Sequence, residues 1–284
     1  MSFFDSLEEL QERWSGSAGG FSHVEVWDEA AAGYAEKPLP TFEDDPFLAM
    51  MQAEGALTPD ARVLDIGCGA GLYSIALTPH VAEVVGCDFS EKMVEAARNR
   101  ATAEGCTNTQ FICGNFADLT FDEPFDVVFA HFTPAINSAT EFQKMVSLAR
   151  SWCFMACPTR RRDFVLEEAR RLASVEHGDP DRDRNFLYGF AYAWLLGKTP
   201  TVMHYDDVWL DQRTLEDAQT VYANHLVAPD LSPEQKAIVQ DYLAQIAEEG
   251  TVYERIETTI AMLGFRGLVP TRARPLERHR PRQS

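Results

Sequence analysis

The amino-acid sequence predicts an α/β fold: a doubly wound, mostly parallel, seven-stranded sheet with a helical cap and helical insertions. Two observations lead to this prediction. Five short apolar runs alternate with helical stretches through the middle of the chain, which is typical of parallel strands buried on both faces. A glycine-rich turn follows the first run, as in sheets that bind a ligand at the carboxyl ends of their strands. The 284 residues are enough for one large domain or two small ones.

The elements of the sheet can be assigned in chain order. The five central strands are predicted at 61–66, 83–88, 110–113, 125–131 and 152–157. Helix-start signals stand between or after them: Ser90 can cap a helix, Ser138 has a capping-box spacing to Glu141, and Ser232 precedes a proline. Strand-like segments at 200–211 and 251–263 bring the predicted sheet to seven strands, with helices laid over its ligand edge.

The chain divides into four predicted regions. They are an N-terminal helical cap (1–57), an α/β core (58–162), helical insertions with the last two strands (163–270), and a basic C-terminal extension (271–284). The extension holds five arginines and one glutamate. We expect it to be solvated, and a dedicated binding arm is the alternative.

Composition excludes several classes of function. The chain has 25 basic and 44 acidic residues and a net charge of −19, which argues against a nucleic-acid partner. Six cysteines without a C-x-x-C pair indicate no disulfide scaffold and no zinc site, so no metal is expected. There is no signal-peptide pattern, and no apolar stretch of the roughly 18 residues that a membrane span requires. We expect a cytoplasmic protein, either a monomer or a homodimer.

The glycine-rich turn carries two acids that indicate its ligand. The turn is V-L-D-I-G-C-G-A-G at 63–71, and its glycines let the backbone turn tightly and approach a ligand. Asp65 would repel a pyrophosphate but suits an ammonium or sulfonium group. Asp88 ends the second strand, where a carboxylate can accept hydrogen bonds from both ribose hydroxyls. Asp88 would serve NAD equally well, so Asp65 is the residue that discriminates.

Residues 61–157 resemble the class I, Rossmann-like S-adenosylmethionine-dependent methyltransferases, in their small-molecule type. The resemblance rests on the glycine turn, on V-V-G-C-D-F-S, on F-I-C-G-N-F-A-D-L, and on F-D-V-V-F-A-H. It fades outside this segment. It implies that the cofactor is S-adenosylmethionine, that the product is S-adenosylhomocysteine, and that the acceptor is a small molecule.

The resemblance also implies how the methionyl part and the ribose of the cofactor are held. Asp65 would lie near the amino group, and Asp88 would bind the ribose. The loop around the methionyl part comprises Gly67, Cys68, Gly69 and Gly71.

The adenine site follows from the same resemblance. Phe89 and Met93 would flank the ring. The turn after the third strand has Asn115 where the family usually carries an aspartate, and its amide oxygen can still accept from the adenine amino group. The backbone N–H of Phe116 would face adenine N1.

Methyl transfer from a sulfonium requires alignment, exclusion of water and, where necessary, removal of a proton. His131 ends the fourth strand at the ligand edge and is the candidate general base. The alternative for His131 is a contact with the cofactor or a loop cap. Thr133 and Asn137 are candidates for further polar contacts.

A second catalytic candidate, Tyr34, stands in the predicted cap. Trp27, Ala31 and Tyr34 share one helix face at spacings of four and three residues. This face either packs on the sheet or presents Trp27 and Tyr34 to the methyl-transfer pocket.

Three further features leave alternatives open. The aromatic residues of 186–194 are predicted to be mostly core, with Tyr188 or Tyr192 as the members that could reach an acceptor. His204 is interpreted first as structural and second as a pocket residue. The arginines at 160–162 are either solvated or receive an acidic group of the substrate.

The acceptor class follows from a departure in the fourth-strand turn. Nucleic-acid amino-methyltransferases carry Asp/Asn-Pro-Pro-aromatic there, whereas this chain has H-F-T-P-A at 131–135. A small-molecule methyltransferase is therefore the leading hypothesis. The alternative is a non-catalytic module that senses S-adenosylmethionine or scaffolds a partner. A nicotinamide-dependent oxidoreductase is less favoured because of Asp65 and the compressed glycine motif.

Overall fold

A single seven-stranded sheet forms the centre of the molecule. The computed structural model describes residues 6–14, 24–175, 184–228 and 230–267. The sheet order is β3-β2-β1-β4-β5-β7-β6. Neighbours among β1 to β5 pair in parallel, and β7 pairs antiparallel with β5 on one side and β6 on the other. The strands are β1 Arg62–Ile66, β2 Glu83–Asp88, β3 Thr109–Cys113, β4 Phe125–His131, β5 Ala149–Asp163, β6 Thr201–Thr214 and β7 Thr251–Arg266. The predicted fold class and strand number are confirmed.

Ten α-helices surround the sheet in the described part of the chain. They are α1 Leu7–Arg13, α2 Val24–Glu36, α3 Pro46–Ala53, α4 Leu72–Leu77, α5 Glu91–Ala103, α6 Ala139–Leu148, α7 Phe164–Leu172, α8 Asn185–Leu195, α9 Leu215–Val221 and α10 Pro233–Ile246. A π-helical turn, Tyr222–Leu226, follows α9.

The predicted helix-start signals at Ser90 and Ser232 are confirmed. The Ser90 hydroxyl accepts from the backbone N–H of Met93 at 3.1 Å. Ser232 forms a reciprocal capping box with Gln235. Ser138 caps α6 differently from the predicted box, because its hydroxyl accepts from the N–H of Thr140 and itself donates to the carboxylate of Glu141.

The central strands are buried on both faces, which explains their continuous apolar sequences. Along β4, Val128 and Ala130 face one core cluster and Val127 and Phe129 face the other. This alternation follows from the two-residue period of a strand. Helices α1, α6 and α8 cover the first face, and α3 contributes to the second.

The aromatic helix α8 belongs to the core on the first face. Tyr188 stacks on Trp14 with ring centroids 5.5 Å apart, and Tyr192 meets Phe142 edge-on at 5.4 Å. Both tyrosines are buried in this cluster. The prediction that most of this aromatic set is core is confirmed, and Trp194 is an exposed exception.

Strands β5, β6 and β7 are longer than the other strands. They extend past the carboxyl ends of the neighbouring strands and carry a helical lobe there. The last residue of β4, His131, pairs with Ala156, while β5 continues to Asp163. We call α7, α9, the π-helical turn and α10 the C-terminal lobe, because they pack around one shared cluster. Since β5 runs parallel to β4, its extra residues lead past the carboxyl ends of the neighbouring strands.

A buried carboxylate lies inside the C-terminal lobe. Glu254 accepts from the Tyr222 hydroxyl at 2.6 Å and from Nε of Arg213 at 3.2 Å. Burial raises the pKa of Glu254 above its ordinary value. The hydrogen bonds satisfy a charge that would otherwise be costly to bury, so the cluster joins β6, β7 and the π-helical turn.

Some predicted features lie outside the described residues. These are residues 1–5 and 15–23 of the predicted cap, and the whole basic extension 271–284. Within the described ranges, no helix is long and apolar enough to span a bilayer.

Candidate active site

A cavity of about 340 Å³ opens at the carboxyl ends of β1, β2 and β4. This volume lies within the usual range for small-molecule sites. The walls come from α2, the glycine turn, α4, the turn after β4, and β6. The predicted site residues that line it are Tyr34, Asp65, Gly67, Cys68, Gly69, Asp88, Phe89, Met93 and His131.

The glycine turn adopts a backbone that only glycine enters easily. Gly67, Gly69 and Gly71 have φ values of 69°, 52° and 79°. A Cβ at Gly67 would lie 1.9 Å from Oγ1 of Thr133, whereas a Cβ at Gly69 would meet nothing closer than 3.8 Å. Gly67 is therefore required by a close approach as well as by its φ angle.

Asp65 is a buried carboxylate at the cavity wall. It is 3% exposed, and its Oδ2 accepts from the Ser74 hydroxyl at 2.7 Å. Burial, with a smaller contribution from the charge of Asp88, raises the pKa of Asp65 to about 7. A cation placed beside this group would favour its charged form.

Asp88 joins the glycine turn to the end of β2. It is 8% exposed, and its two oxygens accept from the backbone N–H groups of Gly69 and Ser90, each at 2.9 Å. Burial raises its pKa in spite of these bonds. Each oxygen retains a further lone pair for a hydroxyl donor.

The two carboxylates are not neutralised by the protein. Among the described residues, neither Asp65 nor Asp88 forms an ion pair. The cationic side chain in the cavity wall is Lys37, whose Nζ lies 3.9 Å from the centre of the Tyr34 ring. The cavity therefore suits a ligand that carries positive charge and hydroxyl donors.

Only some of the residues predicted to contact adenine lie at the cavity. Phe89 and Met93 line the cavity. Asn115 is exposed and its Oδ1 accepts from the N–H of Ala117 at 3.2 Å, while Phe116 is buried. Neither Asn115 nor Phe116 lines the cavity, so their roles toward adenine stay predictions.

Helix α2 combines packing with a contribution to the cavity. Ala31 is buried in a cluster with Ala70 and Met93. Trp27 and Tyr34, with ring centroids 6.3 Å apart, line the cavity. Burial and the charge of Asp211 raise the pKa of Tyr34. A catalytic role for Tyr34 stays a prediction.

A hydrogen-bonded chain stands at the other end of the cavity. The Tyr73 hydroxyl donates to Oδ2 of Asp45 at 2.6 Å and lies 3.0 Å from Nε2 of His131. The His131 ring stacks on Phe132 at 3.9 Å between centroids. Burial lowers the pKa of His131 to about 3, so the ring is neutral at physiological pH.

Sequence reasoning missed Tyr73 and Asp45. Tyr73 looks like an ordinary apolar position of a short helix, and Asp45 looks like a helix cap. Asp45 does cap α3, because its Oδ1 accepts from the N–H groups of Phe47 and Leu48. No pattern in the sequence shows that its second oxygen reaches Tyr73.

Strand β6 contributes Trp209, to which the sequence analysis assigned no role. Trp209 lines the cavity, and its indole N–H donates to Asp207 at 2.7 Å. His204 is exposed on the same strand and lies outside the cavity. Cζ of Arg161 lies 5.6 Å from the centre of the Trp209 ring, and Nη2 of Arg161 lies 3.6 Å from Oδ2 of Asp163.

Comparisons with known protein sequences bear on the central segment. Residues 63–153 match the family model described as a methyltransferase domain. The chain is 35% identical over 142 residues to the uncharacterized methyltransferase YcgJ of Bacillus subtilis, covering 49% of this chain and 50% of YcgJ. It is 42% identical over 68 residues to a ubiquinone biosynthesis O-methyltransferase of Coxiella burnetii, covering 24% and 29%. The chain thus spans half the length of the first relative and less than a third of the length of the second.

Other comparisons are shorter or more distant. The 23S rRNA (uracil(1939)-C(5))-methyltransferase RlmD of Marinomonas is 40% identical over 73 residues, covering 25% of this chain and 16% of RlmD. A crystal structure of a methyltransferase from Thiobacillus denitrificans with S-adenosyl-L-homocysteine is 19% identical, covers 83% of this chain and 96% of its own, and has a TM-score of 0.46. Residues 63–153, which span β1 to β4 and the first part of β5, thus match a methyltransferase domain and lie within the seven-stranded sheet.

Proposed function

We propose that the protein is an enzyme that transfers a methyl group from S-adenosylmethionine to a small molecule. The observation that carries the proposal is the pair of buried carboxylates, Asp65 and Asp88, which have no ion-pair partner among the described residues. S-adenosylmethionine presents an ammonium group, a sulfonium group and two ribose hydroxyls. These groups match the charge and the acceptor oxygens of the cavity.

The chain's own residues would hold the cofactor as follows. The glycine turn encloses the methionyl part, Asp65 faces the ammonium group, and Asp88 accepts from the ribose hydroxyls. Phe89 and Met93 flank the adenine. When bound, the cofactor would supply an activated methyl group to the acceptor.

A small acceptor is supported by the shape and charge of the protein. The cavity is confined between α2 and β6, with Phe132, Pro134 and Trp209 in its wall. The net charge of −19 would repel a polyanion. The likeness to RlmD covers only 73 residues and so does not extend RNA as a substrate to this chain.

His131 is proposed as the base that removes a proton from the acceptor. Its ring lines the cavity at the end of β4, and its neutral form has a nitrogen lone pair that can accept a proton. We also propose a cytoplasmic location, because all six cysteines are free thiols.

Calorimetric titration tests the proposal directly. We expect micromolar binding of S-adenosylmethionine and S-adenosylhomocysteine, and no binding of NADH. Binding of NADH, or no binding of the first two, would contradict the assignment. A screen of acceptors for release of S-adenosylhomocysteine then separates an enzyme from a sensor, which would bind without turnover.

Replacement of Asp88 by alanine is expected to weaken the binding of S-adenosylmethionine by roughly 1.5–3 kcal/mol, because hydrogen bonds to a charged acceptor are lost. The same titration measures this change. Asp118→Ala, at an exposed site, is the control. Because Asp88 also accepts from Gly69 and Ser90, thermal unfolding of the unliganded variant must accompany the titration. Unchanged affinity would remove Asp88 from the site.

A further inference from the structure

The chain of hydrogen bonds from Asp45 through Tyr73 to His131 has a defined direction. The three residues come from the cap of α3, from α4 and from the end of β4. The carboxylate of Asp45 accepts two backbone N–H groups on Oδ1 and the Tyr73 hydroxyl on Oδ2. An ionised carboxylate has no proton to give, so the proton of this hydroxyl points to Asp45.

This direction determines which nitrogen of His131 carries hydrogen. With its own proton committed to Asp45, Tyr73 can only accept from His131 across the 3.0 Å contact. Nε2 therefore carries the hydrogen of the neutral ring, and Nδ1 holds a lone pair. Among the described residues, Nδ1 has no hydrogen-bond partner.

The surroundings restrict the ring and make its neutral form the resting form. Phe132 stacks on His131, and Phe47 lies 5.1 Å away between ring centroids. The titratable groups whose charges act on the adjoining Tyr73 hydroxyl are Asp45, Asp65 and Tyr205. A base enclosed in this way needs a partner that stabilises the cation formed when it takes a proton.

We propose that Asp45 and Tyr73 are positioning residues that hold His131 in the Nε2–H tautomer and leave Nδ1 as the atom that accepts the proton of the methyl acceptor. The inference rests on the proposed function. The acceptor loses a proton to Nδ1 and keeps the electron pair of the broken bond. The imidazolium donates Nε2–H to Tyr73, which donates to Asp45, and the proton on Nδ1 later leaves to solvent.

The test is nitrogen NMR of the full chain labelled at histidine, which distinguishes the two neutral tautomers. At pH 7 we expect His131 of the unaltered protein to be in the Nε2–H form, its signal being assigned with His131→Gln. In Asp45→Asn, the amide oxygen keeps the cap of α3 and the amide N–H donates to Tyr73. The hydroxyl then donates to Nε2, so the tautomer should reverse to Nδ1–H.

Two further variants complete the experiment. Tyr73→Phe removes the acceptor of Nε2–H and should give a mixture of tautomers. Asp44→Asn is the matched control, because the exposed neighbour Asp44 accepts from the Thr41 hydroxyl through Oδ2 and donates its own backbone N–H to the same hydroxyl. It should retain the Nε2–H form. An Nδ1–H form in the unaltered protein, or identical spectra for the two Asp→Asn variants, would overturn the proposal.

Titration of the same samples with S-adenosylmethionine separates this inference from the proposed function. Binding of the cofactor without tautomer reversal in Asp45→Asn would overturn the positioning role alone. Reversal without any binding would overturn the proposed function, and with it the part of His131 in methyl transfer.

Discussion

Replacement of Gly67 by alanine is expected to abolish measurable binding of S-adenosylmethionine and to lower the free energy of unfolding by roughly 2–5 kcal/mol. The left-handed backbone at Gly67 costs an L-residue roughly 1–2 kcal/mol. The added Cβ would also lie 1.9 Å from Oγ1 and 2.5 Å from Cβ of Thr133, and overpacking of this kind costs roughly 1–3 kcal/mol. Chemical denaturation and calorimetric titration measure the two effects.

Gly69 provides the matched control for this prediction. It also has a positive φ, of 52°, but an added Cβ would meet nothing closer than the Met93 sulfur at 3.8 Å. Gly69→Ala should therefore show only the backbone cost of roughly 1–2 kcal/mol. Thr133→Gly combined with Gly67→Ala should recover part of the stability. Equal effects of the two alanines would mean that the close approach to Thr133 is wrong.

Replacement of Asp65 by asparagine is expected to stabilise the unliganded protein at pH 8 while weakening the binding of cofactor. Burial raises the pKa of Asp65 to about 7, from 3.8 in an unfolded chain. Between these values the native state retains a proton that the unfolded state has lost, so stability falls as pH rises and stays low above pH 7. Asparagine removes this penalty, which is on the order of 1–4 kcal/mol.

The pH dependence of binding follows from the same group. Below pH 7 Asp65 is protonated, and it must lose this proton before its carboxylate can face a cation. The affinity for S-adenosylmethionine should therefore fall by up to about tenfold for each unit by which the pH is lowered. Asp65→Asn should lose this slope and bind more weakly at pH 8, by roughly 1.5–3 kcal/mol. Ser74 can still donate to the amide oxygen, which preserves the local packing.

Thermal unfolding and titration between pH 5 and 8 check both statements, with exposed Asp122→Asn as the control. A pH slope that persists in Asp65→Asn would assign the titration to another group. Both expectations have one cause, because burial disfavours the charged form of Asp65 until a positively charged ligand lies beside it. The unliganded protein is thus less stable than it would be with an uncharged site of the same shape.

The strands illustrate how far the pattern of residues predicts the fold. β2 and β4 begin and end at the predicted residues, since each is buried on both faces and its apolar run stops where burial stops. β5 was predicted at 152–157 but extends from Ala149 to Asp163. Its outer part is polar and pairs with β7 beyond the core. Backbone hydrogen bonds hold such pairing, and hydrophobic periodicity does not record it.

The same distinction applies to the helices around the sheet. One of the helices in the predicted region of helical insertions begins at Leu215 but changes to a π-helical turn at Tyr222. There the hydroxyl of Tyr222 donates to Glu254, on a strand about thirty residues later in the chain. A contact between segments so far apart in the chain has no signature in the local sequence.

The sequence by itself determined the α/β class, the seven strands and the likeness of the central segment to a methyltransferase domain, because each depends on residues close together in the chain. Asp65 and the glycines share one turn, and Asp88 ends the next strand. Only the tertiary structure decided how the other wall of the cavity is built. Asp45, Tyr73 and Trp209 come from the N-cap of α3, from α4 and from β6. The direction of the hydrogen bonds to His131 depends on the distances between such side chains. Such distances follow from packing, to which local propensity and periodicity contribute no information.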